Sequence, residues 1–179
     1  ALYHAAHQTM EELSADPKHL GARIGYICVL HTWGSRMNYH SHLHTIVLGG
    51  GLDAANKWKD KGKKFFFPVK VMSAVFKKYY LRELKQFWED KKLEYHGTAA
   101  HLKNHYEFKA LLNSLYDKNW VVYTKEAFNG ADSVIHYLGR YTHRIAISNR
   151  RIVSMTDETV TYLVKDYKNG GKYIEQTIK

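Results

Sequence analysis

Apolar side chains recur along this chain with two periods, and the points where one gives way to the other mark out its elements. Between Tyr3 and Leu13 the spacing predicts a helix, closed by a turn at Asp16-Pro17. Ile24 to Trp33 is β-branched and aromatic and predicts a strand, Gly34 to Asn38 predicts a turn, and the segment from His40 to Leu48 predicts a second strand that stops at Gly49-Gly50-Gly51. In Val69 to Lys91, Val71, Val75, Tyr79 and Leu84 fall at helical spacing with Phe76, Tyr80 and Phe87, and charges lie between them. A further helix is predicted over Ala99 to Tyr116 and a strand over Trp120 to Thr124.

Beyond that point, Phe128 to Asp132 predicts a loop with Asp132 as N-cap, and Ser133 to Tyr141 has helical spacing. Strands are predicted at Ile145 to Ser148, Arg151 to Met155, Thr159 to Tyr167 and Tyr173 to Ile178, with turns at Asn149-Arg150, Asp157 and the hairpin signal Asn169-Gly170-Gly171. Helices and strands in mixed order indicate the α+β class, an antiparallel sheet covered by helices on one face. Repeats and low-complexity linkers are absent.

The second predicted strand carries the most pointed chemistry. His40, His42 and His44 occupy alternate positions, so in an extended strand they share one face and can converge on a single ion. Imidazole is the commonest transition-metal ligand and tolerates Mn or Mg beside oxygen donors, and no cysteine cluster competes for the role. A lone histidine is more often a satisfied core or surface group, but strict period two beside a fourth histidine in the preceding strand favours a site. In a hairpin register that sets odd against even positions, His31 faces His42 and His44; a slip of one residue turns it away.

On the later helix, Ser133, Tyr137, Arg140, Tyr141 and Arg144 fall within an arc of about 100°, and Val134, Ile135 and Leu138 occupy the neighbouring arc. Taken alone, Tyr137 and Tyr141 read as an i,i+4 aromatic pair facing a core. A phenol of reference pKa about 10 becomes a useful nucleophile beside cations or a metal-polarised phosphate. Arg140, Arg144 and the histidine strand can supply both, so histidines and phenols together point to metal-assisted cutting of a nucleic-acid strand by tyrosine.

The composition suits such a partner. The 179 residues, 45% of them hydrophobic, can bury one sizeable core, which makes a single domain over 1–179 the expectation. A formal net charge of +10 suits a polyanion, because neutralised phosphates release counterions. Among the 14 tyrosines and four tryptophans, exposed rings can stack on unpaired bases. The lysine-rich stretch from Lys57 to Lys64 reads as a solvated loop or as one that touches DNA. One cysteine, Cys28, excludes an internal disulfide framework, and neither a bilayer-spanning stretch nor a signal-peptide pattern is present, so the expected compartment is the cytoplasm.

Several ordered blocks carry a family resemblance: Leu30-His31-Thr32-Trp33-Gly34, His40-Ser41-His42-Leu43-His44, Gly49-Gly50-Gly51-Leu52, and the run from Tyr137-Leu138-Gly139-Arg140-Tyr141 to Ser148. From about Leu2 to Asn149 the chain resembles the two-tyrosine HUH transposases of rolling-circle insertion sequences, the insertion sequence ninety-one family, in which HUH denotes His, a hydrophobic residue, His. Here that motif is His42-Leu43-His44. The resemblance implies a ferredoxin-like or RRM-like HUH endonuclease fold, and an endonuclease and strand transferase that acts on single-stranded DNA at transposon ends. It further implies Mg2+ or Mn2+ on His42 and His44, and a 5′-phosphotyrosine intermediate on Tyr137 or Tyr141. His40 matches a motif histidine, as ligand or as support; with Arg140 and Arg144 it is expected on the substrate side.

The chain departs from the family in having no cysteine-rich zinc segment before these blocks, and it reads as the nuclease core of a longer transposase. For the third metal ligand His31 comes first, with His40, His136 and His143 behind it. Two other classes stay open: a metal-dependent phosphohydrolase that activates water, and a non-catalytic single-strand binder of RRM-like form.

Overall fold

The computed structural model describes residues 1–60, 62, 67–125, 128, 130–142 and 146–179, and for 140–142 it describes the backbone. Its class is α+β, with the strands divided between two three-stranded sheets. The chain forms two compact units, one of residues 1–27 and 46–127, the other of 28–45 and 128–179.

The first unit contains helix α1 (Leu2–Ala15), which packs on a later helix, α2 (Val69–Glu89). Met10, Leu13, Leu20, Ala22, Ile24 and Phe67 form its core, and Tyr26, Val47, Met72 and Val75 pack against them. Each fully buried Met, Leu, Ile or Phe side chain of this kind stabilises the fold by about 1.5–3 kcal/mol. At the edge of the helix pair, Glu12 Oε2 accepts from Lys78 Nζ at 2.6 Å and from the Tyr79 hydroxyl at 2.5 Å. The bond from Lys78, then that from Tyr79, holds the Glu12 carboxyl below its ordinary range.

Strands β1 (Arg23–Trp33) and β2 (Tyr39–Leu52) are hydrogen-bonded neighbours. The Gly34–Asn38 connection is far too short for a parallel crossover, so they form an antiparallel hairpin. Within the turn the Gly34 N–H donates to the Asn38 carbonyl at 2.9 Å and the Met37 N–H to the Gly34 carbonyl at 3.1 Å, with Met37 at φ 58°.

Contrary to the expected stop at the glycines, β2 runs through Gly49–Gly51 and pairs there with β3 (Trp58–Asp60), in register Gly50 to Asp60. The start of the lysine-rich stretch is therefore strand rather than loop; Lys61, Lys63 and Lys64 lie outside the described residues. Close approach explains the continuation. A Cβ on Gly50 would lie 2.5 Å from the Lys59 carbonyl oxygen, and one on Gly51 2.4 Å from that of Arg23.

The helix expected over Ala99 to Tyr116 is split into a 3-10 segment, Gly97–Lys103, and α3 (His105–Asp117). Asn104 makes the break, because its side-chain oxygen accepts from the Tyr106 and Glu107 amides and caps α3. Trp120 to Thr124 is not a strand. The Trp120 carbonyl accepts from the Ser73 hydroxyl instead of a ladder partner, and Val121 and Tyr123 are exposed.

In the second unit, α4 (Ala131–Thr142) precedes the antiparallel sheet β4 (Ile152–Met155), β5 (Val160–Asp166) and β6 (Lys172–Ile178), in that order. Alternate β5 residues Tyr162, Val164 and Asp166 are buried. Asp132 sits inside the first turn of α4 rather than capping it. Of the strand expected at Ile145 to Ser148, Ile145 lies outside the described residues, Ala146 and Ile147 are bend and Ser148 is irregular, followed by a 3-10 turn at Asn149–Arg151. Strand β5 ends at Asp166, whose carboxylate accepts from the Lys168 amide and the Asn169 side chain and draws the next residues into a turn.

Candidate functional site

The face of the hairpin that carries the histidines belongs, from Cys28 to Thr45, to the second unit, as does α4. His31 on β1 and His42 and His44 on β2 come together, each offering a ring nitrogen, with these atoms within 4.8 Å of one another. The register is thus the one that turns His31 toward the pair. His31 is almost fully buried; its ring stacks on Trp33 with centroids 4.9 Å apart and 15° between planes, and lies 4.4 Å from that of His44. Trp33 was not singled out from the sequence, although its position two residues after His31 on one strand places it on the same face.

Hydrogen bonds fix how these rings present their nitrogens. His42 Nδ1 is 2.8 Å from the His40 carbonyl oxygen. A carbonyl only accepts, so the Nδ1 proton is donated there and the neutral ring keeps its lone pair on Nε2. That Nε2 faces His44 Nε2 at 3.1 Å. On the far side of its ring, His44 Nδ1 is 3.2 Å from the Tyr137 hydroxyl oxygen.

This donor set fits a divalent ion. Two nitrogens at 3.1 Å are within the span that ligands each about 2.0–2.1 Å from one ion can have. A backbone carbonyl on the other nitrogen, as at His42, is the outer support typical of a ligating histidine. His40 contributes its carbonyl, and its exposed ring lies 4.9 Å from that of His42 without joining the group of three. His136 is exposed on α4 and is also outside that group.

The tyrosine helix meets the cluster through Tyr137. Ser133, Val134, Tyr137 and Leu138 are half-buried, an arc of about 140°, while Ile135, expected on the packing face, is 64% exposed. Spacing of i, i+3 and i+4 about Val134 therefore sets the buried face, and Tyr137 lies on it rather than beside it. The Phe128 ring meets that of Tyr137 edge-on at 5.1 Å. Phe128 precedes the helix in a loop, where no periodicity could have flagged it. The side chains of Arg140 and Tyr141 and the whole of His143 and Arg144 lie outside the described residues.

A family model described as "Putative transposase" matches residues 25–179. A protein named "Putative transposase y4qJ", from Sinorhizobium fredii (strain NBRC 101917 / NGR234), is 39% identical over 178 residues, 99% of this chain and 45% of its own length. The "Transposase for insertion sequence element IS801" of Pseudomonas savastanoi pv. phaseolicola is 26% identical over 163 residues, 90% of this chain and 38% of its own. The chain thus spans less than half the length of these relatives. No solved structure matches it.

Proposed function

The chain belongs to the transposase family whose model covers it, and from that premise we propose that it is an HUH-type endonuclease and strand transferase for single-stranded DNA at insertion-sequence ends, of the rolling-circle kind. The observation that carries this reading is the hydrogen bond between Tyr137 and His44, whose other ring nitrogen faces His42. A phenol tied to a ligating histidine is placed for nucleophilic attack beside a polarised phosphate.

His31, His42 and His44 are the residues that would hold the ion. Mg2+ or Mn2+ bound there would supply Lewis-acid polarisation of a non-bridging oxygen of the scissile phosphate. With the His44 Nε2 lone pair reserved for the ion, its Nδ1 keeps the proton and donates it in a hydrogen bond to the Tyr137 oxygen. His44 thus orients that oxygen and stabilises its negative charge, and the phenol proton passes to solvent. The Tyr137 oxygen attacks phosphorus in line; the new O–P bond forms as the bond to the 3′ oxygen breaks, and that oxygen leaves as a hydroxyl after taking a proton from water. The 5′-phosphate stays on the tyrosine, so the ester is conserved for attack by another 3′-hydroxyl. Tyr141, one helical turn along α4, is the second nucleophile in this scheme.

Incubation with 5′-labelled and 3′-labelled single-stranded oligonucleotides from insertion-sequence ends, with Mn2+, tests it. The expected product is an SDS-resistant adduct that retains the DNA 3′ of the cut, with a free 3′-hydroxyl on the other fragment. Cleavage with no adduct would favour a water-activating phosphohydrolase, and binding with neither would favour a single-strand binder.

A further inference from the structure

We propose that Arg151 and Tyr162 are positioning residues of the histidine site, acting as a latch that fixes the register of the hairpin; the proposal rests on the reading of that site as a metal centre. Both residues and the partners they reach lie within the second unit. The Arg151 guanidinium donates through one terminal nitrogen to the Ser35 carbonyl at 2.5 Å and through Nε to the Leu163 carbonyl at 2.8 Å. The Tyr162 hydroxyl, on an almost fully buried side chain, donates to the Arg36 carbonyl at 3.0 Å. An ion pair from Arg36 to Asp166, at 3.7 Å, fastens the same tip.

Hairpin register explains why the tip matters to the site. His31 precedes the turn on one strand and His42 follows it on the other, so the turn decides which residues stand opposite. A slip of one residue sends a whole strand's side chains to the other face and would take His31 away from His42 and His44. The hydrogen bonds within the turn use the Asn38 and Gly34 carbonyls, not those of Ser35 and Arg36, and Met37 adopts φ 58°, a conformation that non-glycine residues rarely occupy. Two carbonyls of the turn are instead bonded by side chains anchored in another sheet. A buried tyrosine of β5 and an arginine of the 3-10 turn before β4 thus both donate to the backbone of the hairpin turn.

The test measures Mn2+ binding to the full chain, freed of metal beforehand, by calorimetry. Wild type, Tyr162→Phe, Arg151→Lys and His42→Ala are compared, with far-UV circular dichroism and melting temperature as controls on folding. Tyr162→Phe keeps the ring and removes one hydrogen bond, and Arg151→Lys keeps the charge but cannot reach both carbonyls. Each folded latch variant is expected to bind Mn2+ about fivefold more weakly, the factor that one hydrogen bond's net stabilisation carries. Raised Mn2+ should restore oligonucleotide cleavage in the latch variants but not in His42→Ala. Wild-type affinity in both folded latch variants would overturn the latch while leaving the metal centre intact. Failure of the wild type to bind Mn2+ any better than His42→Ala would overturn the metal reading, and the latch with it.

Discussion

His42 and His44 each use both ring nitrogens, and that division of labour is the most specific feature at the scale of single residues. His42 donates Nδ1–H to its own strand's backbone and turns Nε2 inward; His44 turns Nε2 to His42 and Nδ1 to Tyr137. If both are ligands, as proposed, replacing either with Ala removes a ligand rather than a support, so cleavage is expected to fall by more than about 100-fold, beyond the 10–100-fold typical of outer partners. Far-UV circular dichroism and most DNA affinity should be unchanged, and excess chelator should act on the wild type as the substitutions do. Period two alone placed these histidines on one face. It could not say that His31, in another strand, would join them, because that depends on a register set by the turn and its anchors. Nor could it reach Phe128, which lies in a loop, or Tyr162, whose hydroxyl meets a carbonyl 126 residues away in sequence.

Among the elements, those with long, regular patterns were legible and those that hinge on a single polar side chain were not. Helices α1, α2 and α4 and the hairpin strands lie where periodicity predicts them, whereas Asn104 splits a predicted helix and the Ser73 bond takes Trp120 out of a predicted strand. The glycine run illustrates a different limit. It looks like a loop, yet the missing side chains let β3 and β1 approach, so Gly50→Ala is expected to cost about 1–3 kcal/mol in urea unfolding. The α1–α2 pair gives a pH test. Because Glu12 is held below its ordinary range, its contribution is present above the unfolded carboxylate value and is lost as pH falls through the lower folded value. Glu12→Gln should therefore destabilise by roughly 0.5 kcal/mol at neutral pH, small because the pair is partly exposed, and by nothing in strong acid.

Across the whole molecule, charge and composition pointed to a class of partner, and the ordered motifs pointed to a family; neither revealed that the strands would divide between two sheets. No helix among the described residues is long and apolar enough to cross a membrane. If the +10 chain binds single-stranded DNA through its phosphates, the logarithm of affinity should fall linearly with that of salt, by about 0.7 per phosphate contacted. The His42→Ala variant should keep that slope, since its defect is chemical. The central claim, that a tyrosine of α4 becomes covalently joined to DNA, is tested most directly by peptide mass spectrometry of the trapped complex. The DNA adduct is expected on Tyr137 or Tyr141, and absent from the Tyr137→Phe, Tyr141→Phe double variant, which should still fold and bind single-stranded DNA. An adduct on any other residue, or undiminished cleavage by the double variant, would contradict it.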